Sequence, residues 1–172
     1  DRLYAPFYME ALEQEGLVHA IKLEGSQRSV LISGKIDRVD RKDKKLRVID
    51  YKTGKDELDF DNIPSLFSRE GKRNKAAFQT LLYALLYKSN TEWKGFSIVP
   101  GLINRMNLFD KDFQFGLKYG KVYVEDVEPI LPEFERHLKL LLEELFELEV
   151  PFDQTDNVDT CRYCEFQRIC YR

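Results

Sequence analysis

The 172-residue sequence has no long apolar run, few cysteines and no excess of basic charge. No stretch approaches the roughly 20 apolar residues of a membrane-spanning helix, and residues 1–15 lack the basic start and apolar centre of a signal peptide. We therefore expect a soluble, cytoplasmic protein with no membrane partner. The hydrophobic content of 43% and the aromatic content of 13% suit a folded core. Because the chain begins with Asp1 instead of Met, we expect it to be part of a longer protein.

The net charge of −3 provides no global basic surface, so binding of nucleic acid would depend on local clusters of positive charge. Between residues 28 and 55, Lys and Arg outnumber Asp and Glu, whereas acidic residues dominate between residues 125 and 149. The first segment is suited to a polyanion and the second is not.

Several segments have the apolar and β-branched character of strands and end near turn signals. They are residues 17–23, 29–40, 46–52 and 96–102, with weaker signals within 113–122. The polar connection between the second and third segments predicts an antiparallel hairpin.

Two segments show helical periodicity. Residues 74–89 have an amphipathic pattern with Asn74 as the cap, and residues 127–148 contain Pro132, which must lie in the first turn or cause a kink. Residues 56–73 show no clear period, and we predict a mobile loop there. Together these elements predict an α/β fold with a mixed, mostly antiparallel central sheet flanked by helices.

The third predicted strand carries the most informative residues, Asp50, Tyr51 and Lys52. Successive side chains of a strand point to opposite faces, so Asp50 and Lys52 share one face and Tyr51 points to the other. If the hairpin brings Asp37 close to Asp50, the two carboxylates form a hard oxygen site suited to Mg²⁺ or Mn²⁺. Lys52 would then orient a water molecule or stabilise developing charge, and the implied reaction is phosphodiester hydrolysis.

These residues belong to an ordered pattern of three short motifs. The motifs are Gly34-x-x-Asp37-Arg38, Asp50-Tyr51-Lys52-Thr53-Gly54 and Gln79-x-x-x-Tyr83. The pattern resembles that of the PD-(D/E)XK nuclease superfamily, and specifically its RecB-like and AddB-like branch. A lone Asp-x-Lys pair would favour a solvated ion pair, but the ordered combination favours a functional site.

The resemblance assigns a role to each of these residues. It implies a restriction-endonuclease-like core in which Asp37, Asp50 and the backbone carbonyl of Tyr51 bind the metal and Lys52 acts in catalysis. The resemblance also places Gln79 and Tyr83 beside the active site, and residues four apart on a helix do share a face.

The same resemblance implies a Mg²⁺- or Mn²⁺-dependent exodeoxyribonuclease that processes DNA ends in recombination or repair. Its expected partners are DNA and a helicase subunit or the remainder of a longer chain. The alternative is a non-catalytic DNA-binding or scaffolding module with the same fold. The joint presence of Asp37, Asp50 and Lys52 favours the enzyme, because a degenerate copy has no need of all three.

The three cysteines, Cys161, Cys164 and Cys170, lie in residues 151–172, which we predict to be a segment that packs on a nuclease core formed by residues 1–150. Their C-x-x-C-x5-C spacing favours metal over a disulfide in an intracellular protein. The resemblance to AddB-like nucleases implies that they supply three of the four ligands of a 4Fe–4S cluster. Without the fourth cysteine, three alternatives stay open: a cluster completed from outside the chain, a zinc site with another ligand type, or reduced cysteines without metal.

Two further groups of residues could contact nucleic acid. Aromatic side chains can stack on unpaired bases, although we predict that most of those between residues 93 and 123 pack in the core or at its rim. They are Trp93, Phe96, Phe109, Phe113, Phe115, Tyr119 and Tyr123. A basic run before the first predicted helix suits phosphate binding or a solvated loop, and it comprises Arg69, Lys72, Arg73 and Lys75.

Overall fold

The computed structural model describes residues 4–25, 27, 29–69, 73–162 and 164–171. Its strands are β1 (Tyr8–Lys22), β2 (Ser29–Lys42), β3 (Lys45–Lys52), β4 (Asp59–Phe60), β5 (Ser97–Asn104), β6 (Lys118–Tyr119) and β7 (Val122–Tyr123). Its helices are α1 (Lys75–Asn90), α2 (Leu131–Leu145) and α3 (Val158–Cys161). No helix in the described part of the chain is both long enough and apolar enough to span a membrane.

The central sheet has the strand order β1-β2-β3-β5. Strands β1, β2 and β3 are antiparallel neighbours, whereas β5 runs parallel to β3. A second, small sheet contains β4, β6 and β7. This arrangement confirms the α/β fold with a mixed, mostly antiparallel sheet, and it also confirms the hairpin between β2 and β3, which closes at the pair Lys42 and Lys45.

Strand β1 begins nine positions before the predicted strand at Leu17, so the prediction for this region was too short. The register against β2 shifts between Met9 and Ala11 and again between Gln14 and Leu17. Each shift inserts a residue that interrupts the alternation of apolar and polar side chains. Gly16, with a φ of 78°, provides the backbone conformation that the second shift requires.

The prediction of a mobile loop over residues 56–73 was also wrong for the part that the structure describes. This stretch contains β4 and a single 3₁₀ turn at Pro64–Leu66. Phe60, Ile63 and Leu66 are buried in the core. Elements of two or three residues are too short to show a period, so only their burial identifies them as ordered.

Helix α1 confirms its prediction. The side chain of Asn74 caps it by accepting a hydrogen bond from the backbone N–H of Ala77 at 2.9 Å. The Asn74 amide also donates to the carbonyls of Glu57 and Asp59 at 2.8 and 2.9 Å. The cap therefore joins the start of α1 to the chain that follows β3.

Helix α2 is shorter than the predicted 127–148, although Pro132 does lie in its first turn. The preceding residues form a turn because the N–H of Val127 donates to the carbonyl of Ile98 in β5 at 2.9 Å. Helix α2 packs on α1 through Phe78 and Phe134, whose ring centroids are 5.4 Å apart, and α1 in turn packs on the central sheet.

The opposite face of the sheet is covered by the start of the chain and by the segment after β5. Phe115 lies directly on Gly101 of β5, where a Cβ atom would come within 2.3 Å of the Phe115 ring. Tyr4 and Phe115 both pack on Arg47 of β3, with the guanidinium carbon 3.6 and 5.0 Å from their ring centroids. The sheet is therefore enclosed on both faces.

The predicted division into residues 1–150 and 151–172 stays a prediction. In the second segment, Phe152, Ile169 and Tyr171 are exposed. The amide of Gln154 donates to the carbonyl of Cys170 at 3.2 Å, so this contact lies within the segment itself.

Candidate active site

The predicted catalytic residues meet at the carboxyl end of β3. Asp50 is 3% exposed, and its Oδ2 atom lies 2.8 Å from Nζ of Lys52. Tyr51, between them, is 47% exposed, and its hydroxyl accepts a hydrogen bond from Arg38. The alternation of a strand therefore brings the carboxylate and the ammonium group together on one face, as expected.

Asp37 reaches the same end of β3 from β2. The antiparallel register pairs Arg38 with Ile49, and one further step places Asp37 opposite Asp50. The N–H of Tyr51 donates to Oδ2 of Asp37 at 2.8 Å. The two carboxylates thus lie on adjacent strands at the same level of the sheet.

The environment of Asp50 is unusual for a carboxylate. Burial raises its pKa, the neighbouring Lys52 opposes that shift, and the negative charges of Asp37 and Asp56 add to it. Oδ2 of Asp50 is buried, and the ammonium group of Lys52 at 2.8 Å is its partner.

Lys52 is held in place by α1. Its Nζ donates to Oε1 of Gln79 at 2.5 Å, and Nε2 of Gln79 donates to the hydroxyl of Tyr83 at 2.7 Å. Gly34 of β2 makes room for this arrangement, because a Cβ atom there would lie 2.9 Å from the Tyr83 ring. The three motifs of the sequence therefore converge on one chain of contacts from Asp50 through Lys52 and Gln79 to Tyr83.

A second polar network lies on the other face of the sheet. Asp40 is fully buried and accepts hydrogen bonds from Arg38 and Arg47, with distances of 2.6–2.8 Å. Arg38 also donates to the hydroxyl of Tyr51 at 3.1 Å. Tyr51 follows Asp50 in the chain and binds Asp37 through its N–H, so it links the two carboxylates. The network therefore holds Tyr51 in place from the opposite face of the sheet.

Sequence reasoning missed this network and the contribution of Asp56. The signal for the network was present as Arg38-x-Asp40 on one strand, opposite Arg47 on the next. Opposite charges on directly paired strand positions are a cross-strand pair. Asp56 carried no comparable signal, because it lies in a stretch without periodicity.

The three cysteines have no disulfide and are partly buried. Among the residues that the structure describes, no group of three or more His, Cys, Asp or Glu side chains is placed to hold a metal ion. A metal site formed by the three thiols is not observed among these residues, and both an iron–sulfur cluster and a zinc site stay predictions.

The basic segments are only partly described. Arg28 and Lys72 lie outside the described residues. Arg69 forms an ion pair with Glu144 near the end of α2, so this cation of the basic run contacts an acidic helix.

Comparison with known proteins identifies the family of this chain. A family model for the PD-(D/E)XK nuclease superfamily matches residues 1–171. The chain belongs to this superfamily. Searches of curated proteins and of solved structures gave no match. Proteins of the PD-(D/E)XK superfamily are generally hydrolytic nucleases, so membership supports a nuclease-type function.

The residues of this PD-(D/E)XK site fit a divalent metal of the kind that the superfamily typically uses. Mg²⁺ is usually held by one or two carboxylates together with water and substrate phosphates, so a cage of three protein ligands is not required. Asp37 and Asp50 supply two carboxylates on adjacent strands. Their hard oxygen atoms are the donor type that Mg²⁺ prefers.

Proposed function

We propose that this protein is a Mg²⁺- or Mn²⁺-dependent deoxyribonuclease that hydrolyses phosphodiester bonds at DNA ends. We further propose that it works with a helicase in recombination or repair, as the RecB-like and AddB-like pattern of motifs implies. One observation carries the proposal. Asp37, Asp50 and Lys52 meet at one end of the sheet in a chain that belongs to a nuclease superfamily.

Asp37 and Asp50 would hold the metal, with the carbonyl of Tyr51 as a further ligand. When bound, the metal supplies Lewis-acid polarisation of a phosphate oxygen and a bound water of lowered pKa. Asp50 must be ionised to bind it, although burial raises the pKa of this carboxyl group. The ammonium group of Lys52, 2.8 Å away, favours the ionised form.

Lys52 stabilises the negative charge that develops on the phosphate and orients the attacking water. Its Nζ is held between Oδ2 of Asp50 and Oε1 of Gln79, so few conformations are open to this otherwise flexible side chain. Tyr83 fixes the orientation of the Gln79 amide. Electrostatic catalysis is most effective when the charged group is already held in position before the reaction.

The test is cleavage of end-labelled linear DNA by the whole chain with Mg²⁺ or Mn²⁺, compared with EDTA. Asp50→Ala and Lys52→Ala should each lower the rate by about 100-fold or more. Matched controls are Asp59→Ala and Lys118→Ala, which remove an exposed ion pair of the small sheet and should leave the rate within about twofold. Circular dichroism verifies that each variant is folded.

Three results would contradict the proposal. Unchanged cleavage in both active-site variants would show that these residues do not carry the reaction. DNA binding without cleavage under either divalent metal would favour the non-catalytic scaffolding module instead. Equal cleavage of linear and circular DNA would refute the restriction to DNA ends.

A further inference from the structure

The segment after β5 starts beside the catalytic lysine. Strand β5 is parallel to β3, and their last residues, Asn104 and Lys52, are register partners. The N–H of Arg105 donates to the carbonyl of Lys52 at 2.9 Å. Residues 105–112, here called the β5 loop, therefore leave the sheet at the same end as the candidate active site.

Successive turns give the β5 loop a defined backbone. The N–H of Asn107 donates to the carbonyl of Asn104 at 3.2 Å, and the N–H of Asp110 donates to the carbonyl of Asn107 at 3.0 Å. The side chain of Asn104 also accepts from the N–H of Met106 at 2.9 Å. Since four residues span at most about 14 Å, the backbone of Phe109 lies within that distance of Arg105, whose N–H binds the carbonyl of Lys52.

The β5 loop exposes apolar side chains that nothing in the described structure covers. Phe109 is 91% exposed, and Met106 and Leu108 are also exposed. Tyr119, another aromatic residue that could have bound a base, instead stacks on Phe60 with ring centroids 5.2 Å apart. Single exposed apolar residues are common on surfaces, whereas here three lie within four positions of the chain.

The charges of the β5 loop show which part of a nucleic acid it suits. Arg105 and Lys111 are balanced by Asp110 and Asp112, so the loop has no net attraction for phosphate. The aromatic group of the β5 loop that is open to a nucleic acid is the exposed ring of Phe109. Aromatic rings bind bases by stacking, which is open only to bases that are unpaired or at a free end.

We propose that Phe109 stacks on an unpaired base of the DNA strand whose phosphate lies at Lys52. The enzyme would then favour DNA ends with single-stranded nucleotides over blunt ends. This inference rests on the proposed nuclease function, and it adds the form of DNA end that the site accepts.

Binding experiments test the inference separately from cleavage. The whole chain carrying Lys52→Ala keeps the DNA intact, and fluorescence anisotropy measures its affinity for blunt duplexes and for duplexes with a single-stranded overhang. Adding Phe109→Ala should weaken overhang binding by about 5- to 150-fold, the range for the loss of one stacked base, and should change blunt-end binding less than twofold. Phe109→Trp should retain overhang binding. A 2-aminopurine base in the overhang should be quenched by the parent protein and not by Phe109→Ala.

Phe152→Ala is the matched control, because Phe152 is 85% exposed but lies after α2. If Phe109→Ala and Phe152→Ala bind overhangs equally, the stacking role is refuted and the nuclease assignment stands. Equal loss of blunt and overhang binding in a folded Phe109→Ala protein would also refute it. If the parent chain binds neither DNA, the proposed function itself fails.

Discussion

The buried network behind the candidate active site provides the strongest test of the structure. Asp40 is 0% exposed and binds both Arg38 and Arg47, which are themselves almost fully buried. Asp40→Ala removes the carboxylate between two guanidinium groups. Both guanidinium groups then lose a buried negative partner in a region of low dielectric constant.

The expected cost follows from this burial. Removing one member of a buried ion pair lowers the free energy of unfolding by about 3–5 kcal/mol, because the other member stays buried and loses that interaction. For a chain of this length, each kcal/mol corresponds to roughly 2–4 °C in Tm, so Tm should fall by about 6–20 °C. This cost is a large part of the roughly 5–15 kcal/mol that stabilises a typical domain.

Urea unfolding followed by circular dichroism and by the fluorescence of Trp93, the single tryptophan, measures this change. Asp59→Ala is the control, because Asp59 pairs with Lys118 at 3.7 Å while being 61% exposed. It should lower the free energy of unfolding by less than about 1 kcal/mol. If Asp40→Ala costs no more than this control, the network does not stabilise the fold and the reasoning fails.

Two further predictions concern Asp50 and Gly101. Burial raises the pKa of Asp50 above its ordinary 3.8. The protonated carboxyl group therefore stabilises the folded protein fully below pH 3.8, and this contribution is lost as the pH rises through the folded-state pKa of Asp50. Denaturation at several pH values should show wild type losing stability relative to Asp50→Asn over this window, and a constant difference would refute the shift. Gly101→Ala should cost about 1–3 kcal/mol, because its Cβ would lie 2.3 Å from the Phe115 ring. Thermal unfolding should show a smaller loss for Gly116→Ala, whose Cβ meets Tyr123 at 3.3 Å; equal losses would contradict the packing argument.

Sequence alone determined the features that depend on neighbouring residues. The alternation of a strand was enough to put Asp50 and Lys52 on one face. The spacing of a helix placed Gln79 and Tyr83 together, and Asn74 marked where that helix begins. These predictions succeeded because their geometry is a property of one strand or one helix turn.

Features that require contact between distant parts of the chain were decided only by the tertiary structure. The burial of Phe60, Ile63 and Leu66 depends on the core around them, and no local period identifies such short elements. The register shifts of β1 depend on its partner strand in the same way.

At the candidate active site, tertiary structure decided the surroundings of the motif residues. The need for glycine at position 34 arises from the ring of Tyr83, which belongs to a separate helix. The burial of Asp50 beside Lys52 and the burial of Asp40 between two arginines arise from packing on the two faces of one sheet. Residue types specify which groups can react, whereas their burial and distances, and therefore their pKa values, exist only once the sheet and helices have packed.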